Sequence, residues 1–172
     1  MSKTRHSINR GRSHSWLLLL LLALMAAGCS KSAARQQATT GQKPAEPVLL
    51  FQKTPCLGLC PAYNATIYQN GQVAYVPFRN ALAQDTLQLQ LTPQEVQQFT
   101  QKLNDLAYTT LQKSYLSDWS DISSTYLTFY AQGKQTKRVK HEEGGPERLI
   151  QFIAWLDELL QRHAKDKSNP TY

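Results

Sequence analysis

Apolar and polar residues alternate in several short stretches of this chain, a spacing typical of half-buried β-strands. The pattern predicts strands over 48–53, 63–69, 72–78, 85–91, 122–131 and 135–141. Two other stretches carry apolar residues at intervals of three and four, which predicts helices after Thr92 and Pro146. The order of elements predicts an α+β domain: an antiparallel sheet of about five to six strands with two helices on one face.

Asn70 and Gly71 separate two of the predicted strands and give the strongest short-range signal for a β-hairpin. A two-residue turn at these positions pairs Gln69 with Gln72. The same register gathers apolar or aromatic side chains on one face of the hairpin: Tyr63, Ala65, Ile67, Ala74, Val76 and Phe78. We expect this face to pack into the core, because a slip of one residue would scramble the pattern.

The predicted helices carry start signals and inward-facing apolar stripes. Thr92 and Glu95 form a capping box around Pro93, which stands at the first helical position. The first helix directs one apolar side inward, at Val96, Phe99, Leu103 and Leu106. The second directs inward Leu149, Phe152, Ile153, Leu156, Leu159 and Leu160.

The first 28 residues have the composition of a secretory signal peptide. Residues 1–15 are polar and basic, and residues 16–27 are an apolar run too short to span a membrane as a helix. Residues 24–29 resemble the lipobox of bacterial lipoproteins, although Ala26 stands where that class more often has leucine. The resemblance implies that Cys29 is acylated and becomes the mature N-terminus. An ordinary signal peptide and an uncleaved anchor are the alternatives.

The remaining chain divides into a tether, a folded unit and a tail. Residues 29–47 comprise the lipidated cysteine and a segment without aliphatic side chains larger than alanine, which predicts a flexible tether. Residues 48–163 are predicted to form a single α+β domain, and 164–172 a disordered tail. By analogy with well-studied Gram-negative lipoproteins, Ser30 after the cysteine favours the outer membrane, with the domain facing the periplasm.

The net charge of +7 lies largely in the leader. Four of the 19 Lys and Arg residues fall in 1–28, which contain no Asp or Glu, so the rest of the chain carries only a small positive excess. Nucleic acid is therefore not an expected partner. A basic strip at Lys134, Lys137, Arg138 and Lys140 is interpreted as a charged edge strand, with contact to an anionic surface as the alternative.

Cys56 and Cys60 are the thiols that remain if Cys29 carries lipid. Their even number in an oxidising compartment predicts a disulfide, and Gly58 between them is expected to permit the tight turn. Because soft thiolates suit Cu(I), the alternative is a copper site formed by both cysteines and His141. The C-x-x-x-C-P spacing is similar to that of thioredoxin-like copper chaperones, but those proteins continue with a helix and this chain predicts a strand.

Residues 54–63 read T-P-C-L-G-L-C-P-A-Y and are followed by a strand and the Asn70-Gly71 turn. This pattern resembles a family of bacterial envelope proteins known as domain of unknown function 6438. The resemblance implies the limits of the domain and supports the pairing of the two cysteines. It supplies no catalytic residue.

Other chemical signals are weak. The chain has no nucleophile elbow, Walker loop or dinucleotide fingerprint, and after the leader only His141 and His163 remain. Asp118 and Asp121 could hold a cation but are interpreted as loop residues. The sequence therefore predicts a membrane-anchored lipoprotein of the bacterial envelope, with a non-catalytic binding or scaffolding domain and no cofactor. Its expected partners are the membrane, through the lipid, and an envelope protein or polymer; Cu(I) binding is the runner-up.

Overall fold

The computed structural model describes residues 45–169. The predicted signal peptide, Cys29 and the tether up to residue 44 lie outside these residues. The strands are β1 (Pro47–Lys53), β2 (Ala62–Tyr68), β3 (Gln72–Arg79), β4 (Leu87–Gln90), β5 (Ser114–Tyr115), β6 (Thr125–Ala131) and β7 (Lys134–His141). The helices are α1 (Pro93–Leu106) and α2 (Glu147–Ser168), with a 3₁₀ turn at Tyr108–Thr110. Neither helix is long and apolar enough to cross a bilayer.

The strands form one sheet in the order β4-β3-β2-β1-β6-β7-β5. The α+β class is confirmed, but the sheet has seven strands instead of five to six and is mixed instead of antiparallel, because β5 pairs parallel to β7. Strand β5 has only two residues. It is too short for the alternation that reveals a strand in sequence.

One face of the sheet packs against both helices in a single core. Leu49 and Phe51 of β1 and Leu127 and Phe129 of β6 are fully buried or nearly so. The same core includes the predicted inward residues of the helices, of which Val96, Leu103 and Ile153 are partly buried. The capping box at Thr92 and Glu95 is confirmed. The predicted helical stripes therefore identify the sides that pack on the sheet.

The predicted register of the Asn70-Gly71 hairpin is wrong by one residue. Ile67 pairs with Val73 and not with Ala74, so β3 turns Val73 and Tyr75 into the core and leaves Phe78 exposed. A two-residue turn of the favoured type needs positive φ at both central residues, but only Gly71 has it, at +77°. The loop instead has three residues: the Gly71 N–H donates to the Tyr68 carbonyl and the left-handed glycine ends the turn.

The second hairpin uses the two-residue turn that the first does not. Gln132 and Gly133 both have positive φ, at 52° and 71°, and Ala131 pairs directly with Lys134. Helix α2 extends to Ser168, and Ala164 is fully buried. The prediction of a disordered tail from residue 164 is therefore wrong for residues 164–168, because the helix still contacts the core in that turn.

Candidate functional site

Three connections and the segment before α2 gather at one end of the sheet. Strands β1, β3, β5 and β7 finish at this end, and β2, β4 and β6 begin there. The segments that leave it are 54–61, 80–86, 116–124 and 142–146, and we call them together the loop end. The chain enters the domain at Pro47, at the opposite end of β1.

A disulfide closes the first segment of the loop end. Cys56 and Cys60 are bonded with an S–S distance of 2.05 Å, and the ring projects Leu57 and Leu59 outward with 79% and 86% of their surface exposed. Gly58 does not have positive φ, and a Cβ there would meet the Cys56 sulfur at an ordinary 3.7 Å. The closed ring therefore does not use the left-handed conformations that glycine permits.

Hydrogen bonds tie the segments of the loop end to one another. The Thr54 N–H donates to the Ser124 carbonyl at 2.9 Å, and the Ser124 N–H returns a bond to the Thr54 hydroxyl at 2.8 Å. The Asn80 amide reaches the Gly58 carbonyl at 3.4 Å. These contacts place the disulfide ring between the 80–86 and 116–124 segments.

Glu142 fastens the 116–124 segment to the end of β7. Its carboxylate accepts hydrogen bonds from the Ser117 N–H at 3.1 Å and the Ser124 hydroxyl at 2.8 Å, and it pairs with the Lys140 ammonium. The bonds from Lys140, Ser124 and Ser117, in that order of effect, lower the pKa of Glu142 to about 2. The segment is held by an ionised carboxylate at neutral pH.

We expect acid to loosen this loop. A carboxyl whose pKa is lower in the folded state stabilises the fold above its unfolded pKa of about 4.5 and loses that contribution as pH falls towards 2. Hydrogen exchange of 116–124 should accelerate relative to the core between pH 5 and pH 3. Glu142→Gln should exchange faster already at pH 7 and respond less to acid, whereas Glu158→Gln on exposed α2 surface should behave as the wild type. Equal pH responses in the wild type and Glu142→Gln would contradict this assignment.

Large apolar side chains are exposed mainly at the loop end. Among the described residues, those exposed are Leu57, Leu59, Phe78, Leu82, Leu116, Trp119 and Ile150. Six of these seven lie in the loop-end segments or in the last two residues of β3, and only Ile150 lies elsewhere, on α2. Scattered apolar residues on a surface are ordinary, but a concentration at one site indicates an interaction surface.

The charge of the loop end is opposite to that of the chain as a whole. Its four segments contain Asp85, Asp118, Asp121, Glu142 and Glu143 and no Lys or Arg. Three cations adjoin these segments: Lys53 and Lys140 pair with Asp157 and Glu142, and Arg79 is the exposed last residue of β3. Four carboxylates outside the Lys140–Glu142 pair therefore stand against Arg79, so the loop end is negative. All of these carboxylates except Glu142 belong to exposed residues. The loop end therefore combines apolar side chains with negative charge.

A hydrogen-bonded cluster around Asp157 of α2 lies beneath the loop end. Asp157 accepts bonds from the Lys53 ammonium and the Tyr63 hydroxyl, both at 2.5 Å, and from the Gln161 amide at 2.8 Å. Tyr75 stacks on Tyr63 with ring centroids 4.7 Å apart. The cluster joins the last residue of β1 and the second residue of β2 to the middle of α2.

The environment of the tyrosines in this cluster favours their protonated form. Burial, and then the charge of Asp157, raise the pKa of Tyr63 well above its ordinary value. The same two causes raise the pKa of Tyr75 to about 12. Both hydroxyls stay protonated at neutral pH, and the bonds from Lys53 and Tyr63 to Asp157 fix α2 to the sheet.

The structure does not bring together the residues of the predicted Cu(I) alternative. The sulfurs of Cys56 and Cys60 are bonded to each other, and His141 Nε2 lies 2.9 Å from the Gly144 carbonyl oxygen. His141 ends β7, which β6 separates from β1. Within residues 45–169, no group of three or more His, Cys, Asp or Glu side chains is arranged to hold a metal ion.

The basic strip on β7 is largely occupied by contacts within the domain. Lys137 donates to the Thr109 and Leu111 carbonyls, Lys140 pairs with Glu142, and Arg138 lies over the Tyr126 ring at 4.5 Å. The interpretation as an anion-binding surface is therefore weakened.

Sequence reasoning found the disulfide but not the surface around it. The prediction assigned Leu57 and Leu59 no role. Two leucines in so short a disulfide ring could have indicated exposed apolar side chains, because the ring cannot bury them. Asp157 gave no sequence signal, because a single carboxylate on an amphipathic helix resembles an ordinary solvated residue.

We expect peptide mapping of the unreduced protein to show Cys56 linked to Cys60. Neither sulfur should react with a thiol reagent in denaturant until a reductant is added. Cys56→Ser/Cys60→Ser should lower the free energy of unfolding by about 2 kcal/mol, from the closure entropy of a short ring. Thiol labelling at both positions without reductant would contradict the pairing.

The domain thus belongs to the α+β class, with two helices on one face of a mixed sheet and a disulfide-closed loop at one end. The family model for the Domain of unknown function DUF6438 matches residues 47–160. The chain belongs to this family, and the match covers the sheet and most of α2. No curated protein and no solved structure is significantly similar to it.

Proposed function

We propose that this protein is a lipoprotein of the bacterial envelope whose α+β domain binds a partner and performs no catalysis. The observation that carries the binding role is the concentration of exposed apolar side chains at the loop end, beside a closed disulfide ring. Such a concentration is costly in a domain that does not use it, because exposed apolar surface promotes non-specific association.

The proposed location rests on the leader and on the cysteines. The lipobox resemblance of residues 24–29 supports acylation of Cys29, and Ser30 supports the outer membrane with the domain in the periplasm. A Cys56–Cys60 disulfide is typical of that oxidising compartment and rare in the cytosol.

Labelling cells with a clickable fatty acid tests the anchor. The wild type should be labelled, and Cys29→Ala should be unlabelled and should keep residues 1–28 by intact mass, because the acylated cysteine is the proposed cleavage position. Cys56→Ala/Cys60→Ala is the matched control and should keep the label. Labelling of Cys29→Ala, or an unlabelled wild type, would overturn the lipoprotein assignment.

A further inference from the structure

We infer that the loop end docks a protein partner whose surface presents apolar side chains among Lys and Arg residues. This inference rests on the proposed binding role and adds to it a site and the chemistry of the partner. The side chains that would enter the interface are Leu57, Leu59, Phe78, Leu82, Leu116 and Trp119.

The apolar contribution comes from side chains on backbone segments that are constrained before binding. The disulfide constrains the ring that carries Leu57 and Leu59, and bonds between Thr54 and Ser124 fix the base of the segment that carries Trp119. An interface formed by constrained loops loses less conformational entropy on binding than one formed by free loops. The exposed tryptophan on such a loop provides an anchor for a complementary pocket, and the leucines add apolar contact area around it.

The charge of the loop end favours a protein partner over the membrane as the occupant. A lipid surface would also accept leucine and tryptophan, but bacterial membranes expose anionic headgroups, and these attract basic segments. With the end of β3 included, the loop end carries four carboxylates outside the Lys140–Glu142 pair and one cation, Arg79, so its net charge is negative. This charge repels an anionic lipid surface and attracts a partner with basic residues around an apolar centre.

The position of the loop end is consistent with a protein occupant. The chain enters β1 at Pro47, and the loop end lies at the other end of this strand. At about 3.3 Å per residue, the seven residues of β1 separate the two ends by roughly 20 Å. The loop end is thus remote from the point where a membrane tether would join the domain.

Photo-crosslinking in intact cells tests the site with the full-length chain. A benzophenone amino acid replaces Leu59 or Trp119, and the control replaces Ile150, the exposed apolar residue on α2. We expect a discrete protein adduct from the two loop-end positions, at least tenfold above that from Ile150. The crosslinked partner peptide should come from a surface with apolar residues and Lys or Arg. Lipid adducts alone, equal adducts at all three positions, or no protein adduct would overturn the inference.

Charge reversal tests the chemistry of the partner. Asp118→Lys/Asp121→Lys should reduce the adduct from Leu59 at least fivefold, whereas Lys134→Glu at the start of β7, at the opposite end of the sheet, should leave it within twofold of the wild type. Melting temperatures of the variants establish that each is folded. With the identified partner purified, the Kd should rise at least fivefold between 50 and 300 mM salt; an unchanged adduct in the Asp variant, or a salt-independent Kd, would refute the electrostatic part.

The two proposals fail separately. Loss of acylation in the labelling experiment would remove the anchor but leave the binding of purified components unchanged. Absence of loop-end adducts from a chain that is acylated at Cys29 would remove the docking site and leave the lipoprotein assignment intact.

Discussion

Gly71→Val is expected to lower the free energy of unfolding by about 3 kcal/mol, since a β-branched residue is strained at φ of +77° and the site has no room for it. A Cβ at this position would lie 2.6 Å from Val96 Cγ2 and 3.1 Å from the Gln90 amide nitrogen. Gly71 is buried where the first hairpin meets the start of α1. Denaturant unfolding of the purified protein measures the effect.

Gly133→Val is the matched control for this prediction. Gly133 also has positive φ, at +71°, but nothing lies within 4 Å of an added Cβ. The control should therefore lose only the backbone contribution, about 1–2 kcal/mol. Equal losses at the two positions would show that contact between the hairpin and α1 contributes little.

Asp157→Ala should have an effect of similar size, about 2–4 kcal/mol, for a different reason. It removes the acceptor shared by the Lys53 ammonium and the Tyr63 hydroxyl, and the latter belongs to a fully buried residue. An unpaired buried donor costs more than the bond contributed. Thermal or denaturant unfolding measures the loss.

A double-mutant cycle separates this cost from loss of helical packing. In a Tyr63→Phe background no hydroxyl is left unpaired, so Asp157→Ala should cost at least 1 kcal/mol less than in the wild type. Additive losses would contradict a direct coupling between Asp157 and Tyr63. Glu158→Ala, at the neighbouring exposed position of α2, should change stability by no more than about 0.5 kcal/mol.

The helices and the disulfide could be predicted because their signals are local. The capping box lies within four residues, and the cysteines are four positions apart. The register of the first hairpin could not be decided in this way, because residues 72–78 carry apolar side chains in both alternating sets. By their pattern, Val73 and Tyr75 were as suitable for the core as Val76 and Phe78. Because Asn70 does not have positive φ, the loop has three residues, and this register places Val73 and Tyr75 in the core.

The loop end could not be predicted because it depends on which connections meet. Strand β6 lies between β1 and β7, and Ser124, just before β6, bonds to Thr54 in the segment that carries the disulfide over a separation of 70 residues. The cluster at Asp157 is likewise joined to β1 over a separation of 104 residues. Alternation and spacing describe faces of single elements and contain no information on such long-range neighbours.

The two outermost strands, β4 and β5, have only four and two residues. The unpaired N–H and C=O groups of an edge strand can bond to a strand of another molecule. A very short edge strand is one of the ways in which natural proteins prevent this pairing. Even at high protein concentration, fibril formation by pairing of these edge strands should therefore be disfavoured. Association between copies would have to use side chains instead of main-chain pairing.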